Sequence, residues 1–172
     1  MKKVLLVVMI FAMSSFAQIG MDFGLETAMP IGDAADWTNL GVGGTVKVSY
    51  PMNEQFDITG RVGYIWWAPG EMDMGLFGTY TFNYYHVPMM AGVRYKMTPE
   101  FYGMAEAGMT MFGGSVDVEI GGTTTSADFD SETEFGFGIG AGYIMDKFAF
   151  SVTYNSVNEW NQIGLRIGYK FM

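Results

Sequence analysis

Apolar and polar residues alternate along most of this chain. Between Ile19 and Met29 the odd positions are apolar except for Thr27, and the even positions are Gly, Ala or acidic. Because successive side chains of a β-strand point to opposite faces, this pattern predicts a strand with one apolar and one polar face. The same pattern recurs in seven further segments, at 40–50, 56–67, 80–96, 101–111, 134–143, 148–155 and 163–171.

The connections between the predicted strands alternate in length. The short ones are 51–55, 97–100 and 146–147, and the longer ones are 30–39, 68–79, 113–133 and 156–161. Most of the predicted strands reach the roughly 9–11 residues that a tilted strand needs to cross a bilayer. Short turns at one end and long loops at the other are typical of a transmembrane barrel. We therefore predict an all-β fold, an eight-stranded antiparallel up-and-down transmembrane β-barrel.

The first residues are typical of a secretory signal peptide. Lys2 and Lys3 precede the apolar run Val4–Met13, and Ser15-Phe16-Ala17 resembles a cleavage site of small residues. The run is too short to span about 30 Å of hydrocarbon as a helix. We predict cleavage after Ala17, with a signal peptide at 1–17 and an outer-membrane β-barrel domain at 18–172.

Aromatic residues flank the predicted strands at both ends. Aromatic girdles at the two membrane interfaces are typical of transmembrane barrels. The predicted girdle beside the short turns consists of Tyr50, Phe56, Tyr95, Phe101, Tyr143, Phe148 and Tyr169. The predicted girdle beside the long loops consists of Trp37, Trp66, Trp67 and Trp160.

Composition narrows the classes of function. The 172 residues include 9 Lys+Arg and 18 Asp+Glu, a formal charge of −9, which argues against a nucleic-acid partner held through its phosphates. The absence of Cys excludes disulfides, thiolate metal sites and a Cys nucleophile. We expect no cofactor and no catalytic or metal-binding residues.

Charge separates between the two predicted faces. The four longer loops carry ten acidic residues and no Lys or Arg. The apolar face carries no charge within the predicted spans, where a charge would cost roughly 2–4 kcal/mol at the bilayer midplane. The inward face carries a nearly balanced lumen charge network, which consists of Asp22, Glu26, Lys47, Asp57, Arg61, Arg94, Lys96, Glu106, Glu134, Arg166 and Lys170. Because eight strands enclose a space that side chains can fill, we expect a salt-bridged plug, with a narrow channel for small solutes as the alternative.

Three of the predicted strands resemble those of a known family. The segments Val87–Tyr95, Phe137–Tyr143 and Ile163–Phe171 resemble the small eight-stranded outer-membrane barrels of Gram-negative bacteria, the OmpA/OmpX or porin-family type. The resemblance implies an outer-membrane location, contact with membrane lipid and lipopolysaccharide, and insertion by the barrel-assembly machinery. It also implies a C-terminal assembly signal at Tyr169 and Phe171, although Met172 replaces the usual terminal aromatic residue.

The chain lacks the histidine base that a deacylase motif would need. The lipid A deacylase family resembles this fold and uses a His-x-Ser motif, but the matching stretch here is Tyr154-Asn155-Ser156. His86 is the one histidine of the chain, and we expect it to be a hydrogen-bonded interior residue rather than a catalytic base. The sequence therefore indicates that the protein is not an enzyme, with a lipid A-modifying enzyme kept as an alternative.

The longest loop is the most informative. Residues 115–120 alternate, Gly121-Gly122 can turn and 123–133 can return, which predicts a hairpin above the membrane with Asp117 and Glu119 facing outward. We expect the 113–133 hairpin to offer its exposed edge to an extracellular protein partner, or to be a loop without one.

Acidic residues and Met-rich motifs in the chain have residue types that can bind metal ions. Acidic residues alternate toward the end of the longest loop, at Asp128, Asp130, Glu132 and Glu134, and an extended chain would place them on one face. They do not match an EF-hand loop, so we interpret them as a solvated acidic surface. The motifs Met72-Asp73-Met74 and Met109-Thr110-Met111 are better explained by lipid-facing or gap-filling Met than by soft-metal sites.

The sequence thus predicts a structural or surface-interaction role, adhesion-like, with acidic extracellular loops and no large pore. The remaining alternative is a soluble secreted β-barrel that carries a small ligand. Such a barrel would place its apolar face inside and its polar face outside, which is the reverse of the predicted arrangement.

Overall fold

Strands make up almost all of the described chain. The computed structural model describes residues 19–36, 38–73, 79–120 and 123–171. The strands are β1 (Gly20–Ile31), β2 (Gly41–Pro51), β3 (Phe56–Trp67), β4 (Gly70–Asp73), β5 (Thr79–Lys96), β6 (Phe101–Ile120), β7 (Thr123–Asp128), β8 (Glu132–Met145), β9 (Phe148–Val157) and β10 (Trp160–Lys170). One 3-10 turn, Gly32–Asp36, follows β1. Within these residues, no helix has the length and apolar character needed to cross a membrane. The predicted signal peptide at 1–17 lies outside them.

Eight strands form a closed antiparallel ring. Its order is β1, β2, β3, β5, β6, β8, β9 and β10, and β10 pairs back onto β1. Glu26 lies opposite Arg166 across that closing pair. Closure leaves no free edge in the membrane-spanning wall, where unpaired backbone groups would have no water to bond. The predicted eight-stranded barrel is confirmed.

The two ends of the barrel differ. The turn end carries the short connections β2–β3, β5–β6 and β8–β9, together with the start of β1 and the end of β10. The loop end carries the remaining connections. The β9–β10 connection there corrects the prediction of a longer loop at 156–161, because only Asn158 and Glu159 lie between the strands and Asn158 has a positive φ of 52°. Asn tolerates this left-handed conformation, which lets both strands run on to a tight turn.

The two faces of the wall match the predicted alternation. Apolar side chains point outward and stay exposed, as Leu25 (76%) and Ile139 (58%) show, whereas charged residues such as Glu26 (3%) point inward. A surface that contacts lipid is stable when apolar, and ion pairs inside the barrel are shielded from that lipid. This arrangement is the reverse of a soluble barrel.

Two strands continue beyond the barrel wall. At the loop end, residues 79–84 of β5 pass the end of β3, and 79–82 pair with β4. Residues 113–120 of β6 pass the start of β8, and 115–120 pair with β7. The same parts of β5 and β6 stay paired with each other. We call this four-stranded extension the loop-end sheet. The predicted hairpin is present as β6 and β7, and its tip at Gly121-Gly122 lies outside the described residues.

Pro88 does not interrupt this long pair of strands. A bulge would be one way to accommodate Pro88, because Pro cannot donate a ladder hydrogen bond. The register of β5 is the same on both sides of Pro88, against β3 and against β6. Pairs with β3 are absent only around Pro88, so the strand accommodates the missing donor without a shift in register.

Candidate functional site

One arginine holds two carboxylates in the middle of the barrel. Arg61 lies 3.1 Å from Glu26 through Nη1 and also pairs with Glu106 through Nη2. All three side chains are buried, with at most 5% exposure. β1, β3 and β6 bring them together from positions far apart in the sequence. A buried group of this kind is costly to disrupt, because each remaining charge would lack a partner.

Two further ion-pair groups fill the barrel toward the turn end. Asp57 accepts a hydrogen bond from Arg94 Nε at 2.7 Å, and Lys96 Nζ lies 2.7 Å from its other oxygen. Asp22 pairs with Arg166. Arg166 also donates from Nε to Thr45 Oγ1 at 2.6 Å.

Three members of the predicted charge network take no part in the ion pairs found among the described residues. Lys47 is buried inside, and its Nζ donates to Met104 Sδ at 3.4 Å. Glu134 points inward at the loop end and lines a pocket there. Lys170 lies opposite Asp22 in the β1–β10 ladder.

Glycines make room for the large side chains inside the barrel. A Cβ at Gly24 would lie 2.6 Å from Arg166 Cζ, and one at Gly142 would collide with the Tyr102 ring. The Arg94 guanidinium lies 5.2 Å from the centre of that same ring. Glycines on the wall leave space for the long side chains, which fill the interior toward the turn end.

An apolar, aromatic layer closes the interior toward the loop end. Trp67 is 1% exposed and donates from Nε1 to His86 Nδ1 at 2.8 Å. Trp160 packs edge-on against Trp67 at 5.3 Å, and Phe112 contacts both His86 and Trp160 at 5.8 Å between ring centres. We call these four residues the aromatic plug. Trp67 and Trp160 therefore correct the predicted girdle, because their positions on β3 and β10 have the inward phase of the polar residues.

The remaining girdle residues that the structure describes lie on the outer surface. At the turn end, aromatic pairs surround the barrel, with ring centres 5.0 Å apart for Phe56–Tyr95 and 4.7 Å apart for Phe101–Tyr143. Tyr50, Phe148 and Tyr169 are exposed there, as is the C-terminal Phe171. At the loop end, Trp66 is exposed, and Tyr64 stacks on Tyr85 at 5.2 Å. Trp37 lies outside the described residues.

No catalytic pair forms from the candidate residues. His86 points into the barrel, whereas Ser156 has the outward phase of β9, so the two side chains lie on opposite faces of the wall. The described residues contain no group of three His, Asp or Glu placed to hold a metal ion. Of the four alternating acids, Asp128 ends β7 on the outer face, whereas Asp130, Glu132 and Glu134 line pockets at the loop end.

The loop-end sheet reverses the polarity of the wall below it. Its outer face is polar, and Asn83 Nδ2 donates there to Asp117 Oδ2 at 3.0 Å. Its inner face is apolar, since Tyr80 lies opposite Val118 and Phe82 lies opposite Val116. Water replaces lipid as the outer neighbour beyond the membrane, which favours polar residues on the outer face. The predicted outward direction of Asp117 and Glu119 agrees with the strand phase.

Sequence reasoning missed the aromatic plug and the inner face of the loop-end sheet. The inward phase of Trp67, shared with Arg61 on the same strand, was the available signal for the plug. The contacts with Phe112 and Trp160 across the barrel had no signal in the sequence, because they depend on which strands face each other.

Comparison with known proteins agrees with this architecture. The family model described as "Outer membrane protein beta-barrel domain" matches residues 4–171. Ail, the attachment invasion locus protein of Yersinia pestis, is similar in structure at 16% identity and a TM-score of 0.58, over 89% of this chain and 97% of that one. Ail has also been solved with the heparin analogue sucrose octasulfate. No curated protein sequence matches the chain.

Two further barrels show the same fold. The N-terminal β-barrel domain of Pseudomonas aeruginosa OprF is 12% identical with a TM-score of 0.54, over 88% of this chain and 97% of that one. Neisserial surface protein A is 13% identical with a TM-score of 0.52, over 89% and 96%.

Proposed function

Because this chain belongs to the outer membrane protein beta-barrel domain family, we propose that it is a non-conducting, non-enzymatic barrel whose loop-end sheet is an extracellular interaction surface. The barrel is a protein of the outer membrane. The observation that carries the proposal is the contrast between a filled interior and a sheet that extends beyond the wall. In this orientation the turn end faces the periplasm and the loop end faces outward.

The filled interior supports a closed barrel. Arg61 with Glu26 and Glu106 occupies the middle, and the aromatic plug lies between that layer and the loop end. An eight-stranded barrel is just wide enough for side chains to fill, so two successive packed layers leave an ion no continuous water path.

We expect the folded protein to give no stable conductance in a planar bilayer. The physical reason is the buried ion-pair layer together with the aromatic plug, both of which would have to rearrange before an ion could pass. Recordings at about 1 M salt, where the Debye length is about 3 Å and surface charge has little effect, make the measurement. The heat-dependent gel shift of the same sample serves as the control for folding. Reproducible, sizeable current steps would contradict the proposal and favour the narrow channel.

The free edge of β7 supports the interaction surface. Phe129 N donates to Gly114 O at 2.9 Å, which sets the hydrogen-bond phase of the β6–β7 pair. In an antiparallel ladder the bonded positions alternate, so the N–H groups of Thr124, Ser126 and Asp128 point away from β6. These residues are exposed, and the edge can accept a strand from a partner protein.

The charge of the loop end supports a selective surface. The longer loops carry acidic residues and no Lys or Arg. We therefore expect a partner that is not a polyanion, unlike the sulfated ligand with which Ail was solved.

We expect Thr124→Pro to reduce partner binding through β7, because proline removes an edge N–H without removing a β6–β7 hydrogen bond. Thr124→Ala removes the side chain and keeps the N–H, so it is the matched control. Adherence of intact cells to protein-coated surfaces, normalised to folded protein on the gel, measures the effect. Equal adherence of the two variants and the wild type would show that the edge is not the binding element.

A further inference from the structure

Two adjoining pockets lie at the loop end of the barrel. One, of about 250 Å³, has Phe112, Glu132, Glu134, Glu159 and Trp160 in its lining. The other, of about 230 Å³, is lined by Tyr84, Phe112, Gly113, Phe129, Asp130 and Glu132. Phe112 and Glu132, which are paired across β6 and β8, border both pockets. We call the two pockets together the mouth cleft.

Aromatic rings line the base of the mouth cleft. Phe112 and Trp160 belong to the aromatic plug, with ring centres 5.8 Å apart. On the other side, the ring of Tyr84 stacks on Phe129 at 5.8 Å with only 13° between the ring planes. Burial raises the pKa of the Tyr84 hydroxyl, so this ring stays neutral at physiological pH. The cleft therefore ends on uncharged aromatic surface and does not continue into the charged interior.

The walls of the mouth cleft are acidic, and no Lys or Arg of the part of the chain that the structure describes lines them. Asp130, Glu132, Glu134 and Glu159 line it. None of them takes part in an ion pair found among the described residues. The described Lys and Arg residues lie inside the barrel or at the turn end, and the longer loops contain none. Carboxylates beside aromatic faces form an environment that complements a cation, through ion pairing and cation–π attraction.

The size of the pockets indicates single side chains rather than a small molecule. Both are below the roughly 300–1,000 Å³ that is usual for a drug-sized ligand. Two such pockets side by side suit alternate side chains of an extended segment, which point to the same face.

From the pockets, their aromatic base and their charge, we infer that the mouth cleft binds a basic peptide segment, with Arg or Lys side chains at alternate positions in its two pockets. The guanidinium or ammonium groups pair with Glu132 and Glu159 and lie against the aromatic base. This inference deepens the proposed interaction surface and rests on it for the outward orientation of the loop end.

The test uses the full chain folded in uncharged-lipid nanodiscs and a labelled acetyl-Arg-Ser-Arg-Ser-Arg-amide peptide, with binding read by fluorescence anisotropy. We expect Glu132→Gln with Glu159→Gln to raise Kd about tenfold or more, since charge-assisted contacts in a concave site are lost. Glu119→Gln with Asp128→Asn changes net charge equally on the outer face of the loop-end sheet. This control pair is expected to change Kd less than about twofold.

Further variants and a second peptide distinguish binding in the mouth cleft from general electrostatic attraction and from metal binding. Phe129→Leu is expected to weaken binding severalfold, whereas Phe135→Leu on the lipid face is not. A peptide with citrulline in place of Arg is expected not to bind.

Equal loss of peptide affinity in the two pairs of charge variants would overturn the inference in favour of diffuse electrostatics. Tight calcium binding that depends on Glu132 and Glu159, with no peptide binding, would overturn it in favour of a metal site. If cells carrying Thr124→Pro adhere like the wild type while the peptide binds the wild-type protein, the β7 edge is wrong and the mouth cleft is supported.

Discussion

Replacing Arg61 with Met is expected to lower the free energy of unfolding of the barrel by about 3–5 kcal/mol. The substitution leaves Glu26 and Glu106 buried near each other without the cation that they share. Lys47 is the nearby base, but its ammonium contacts Met104 rather than a carboxylate. Urea titration of the protein in lipid vesicles, followed by the heat-dependent gel shift, measures the loss.

A compensating variant distinguishes the ion pairs from simple packing. Arg61→Met combined with Glu26→Gln and Glu106→Gln removes both unpaired charges, and we expect it to recover most of the lost free energy. Replacement of a complete buried ion-pair group by neutral residues is often close to neutral. If the triple variant were as unstable as Arg61→Met, the shape of the arginine rather than its charge would stabilise the interior. If Arg61→Met were as stable as the wild type, the interior would be wet.

Replacing Leu25 with Arg is expected to cost roughly 2–4 kcal/mol of folding free energy in lipid. Leu25 lies near the middle of β1, points outward and is 76% exposed. The same substitution on a water-exposed strand would cost little, so the effect reports lipid contact directly. Urea titration in vesicles and the fraction of heat-modifiable protein in outer-membrane fractions are the two measurements.

Met52→Arg is the matched control for this charge. Met52 lies in the β2–β3 turn and is 59% exposed, and a charge there meets water or lipid headgroups. We expect a change of about 0–1 kcal/mol for this variant. Equal stability of Leu25→Arg and Met52→Arg would mean that the outer face of β1 does not contact hydrocarbon.

The direction of the side chains in β1 could be predicted from local sequence. The phase of β1 places Leu25 outside and Glu26 inside, and the structure agrees. A period of two is a property of each strand alone, so alternation determined both faces of the wall, the ring of eight strands and the polarity of the interior. The same rule places Trp67 inside, so its assignment to the outer girdle, which rested on residue type, was wrong.

Contacts across the barrel could not be predicted from the pattern within single strands. That Arg61 would be shared by Glu26 and Glu106, or that Trp67 would meet Trp160 and His86, depends on the stagger of strands around a closed ring. Balanced charge predicted pairing in general, but no local pattern specified the partners. The extent of β5 and β6 beyond the wall was likewise decided by their pairing with β4 and β7.

The sequence by itself determined that this chain is a barrel with an apolar outer face, a charged interior and acidic loops. Those properties follow from the alternation within each strand and from where charges occur along the chain. Only the tertiary structure decided that the four rings of the aromatic plug pack together inside the barrel and that Glu132, Glu159 and Phe129 line one cleft. The physical reason is that such contacts join residues on different strands, and their distances are set by closure and stagger of the whole ring.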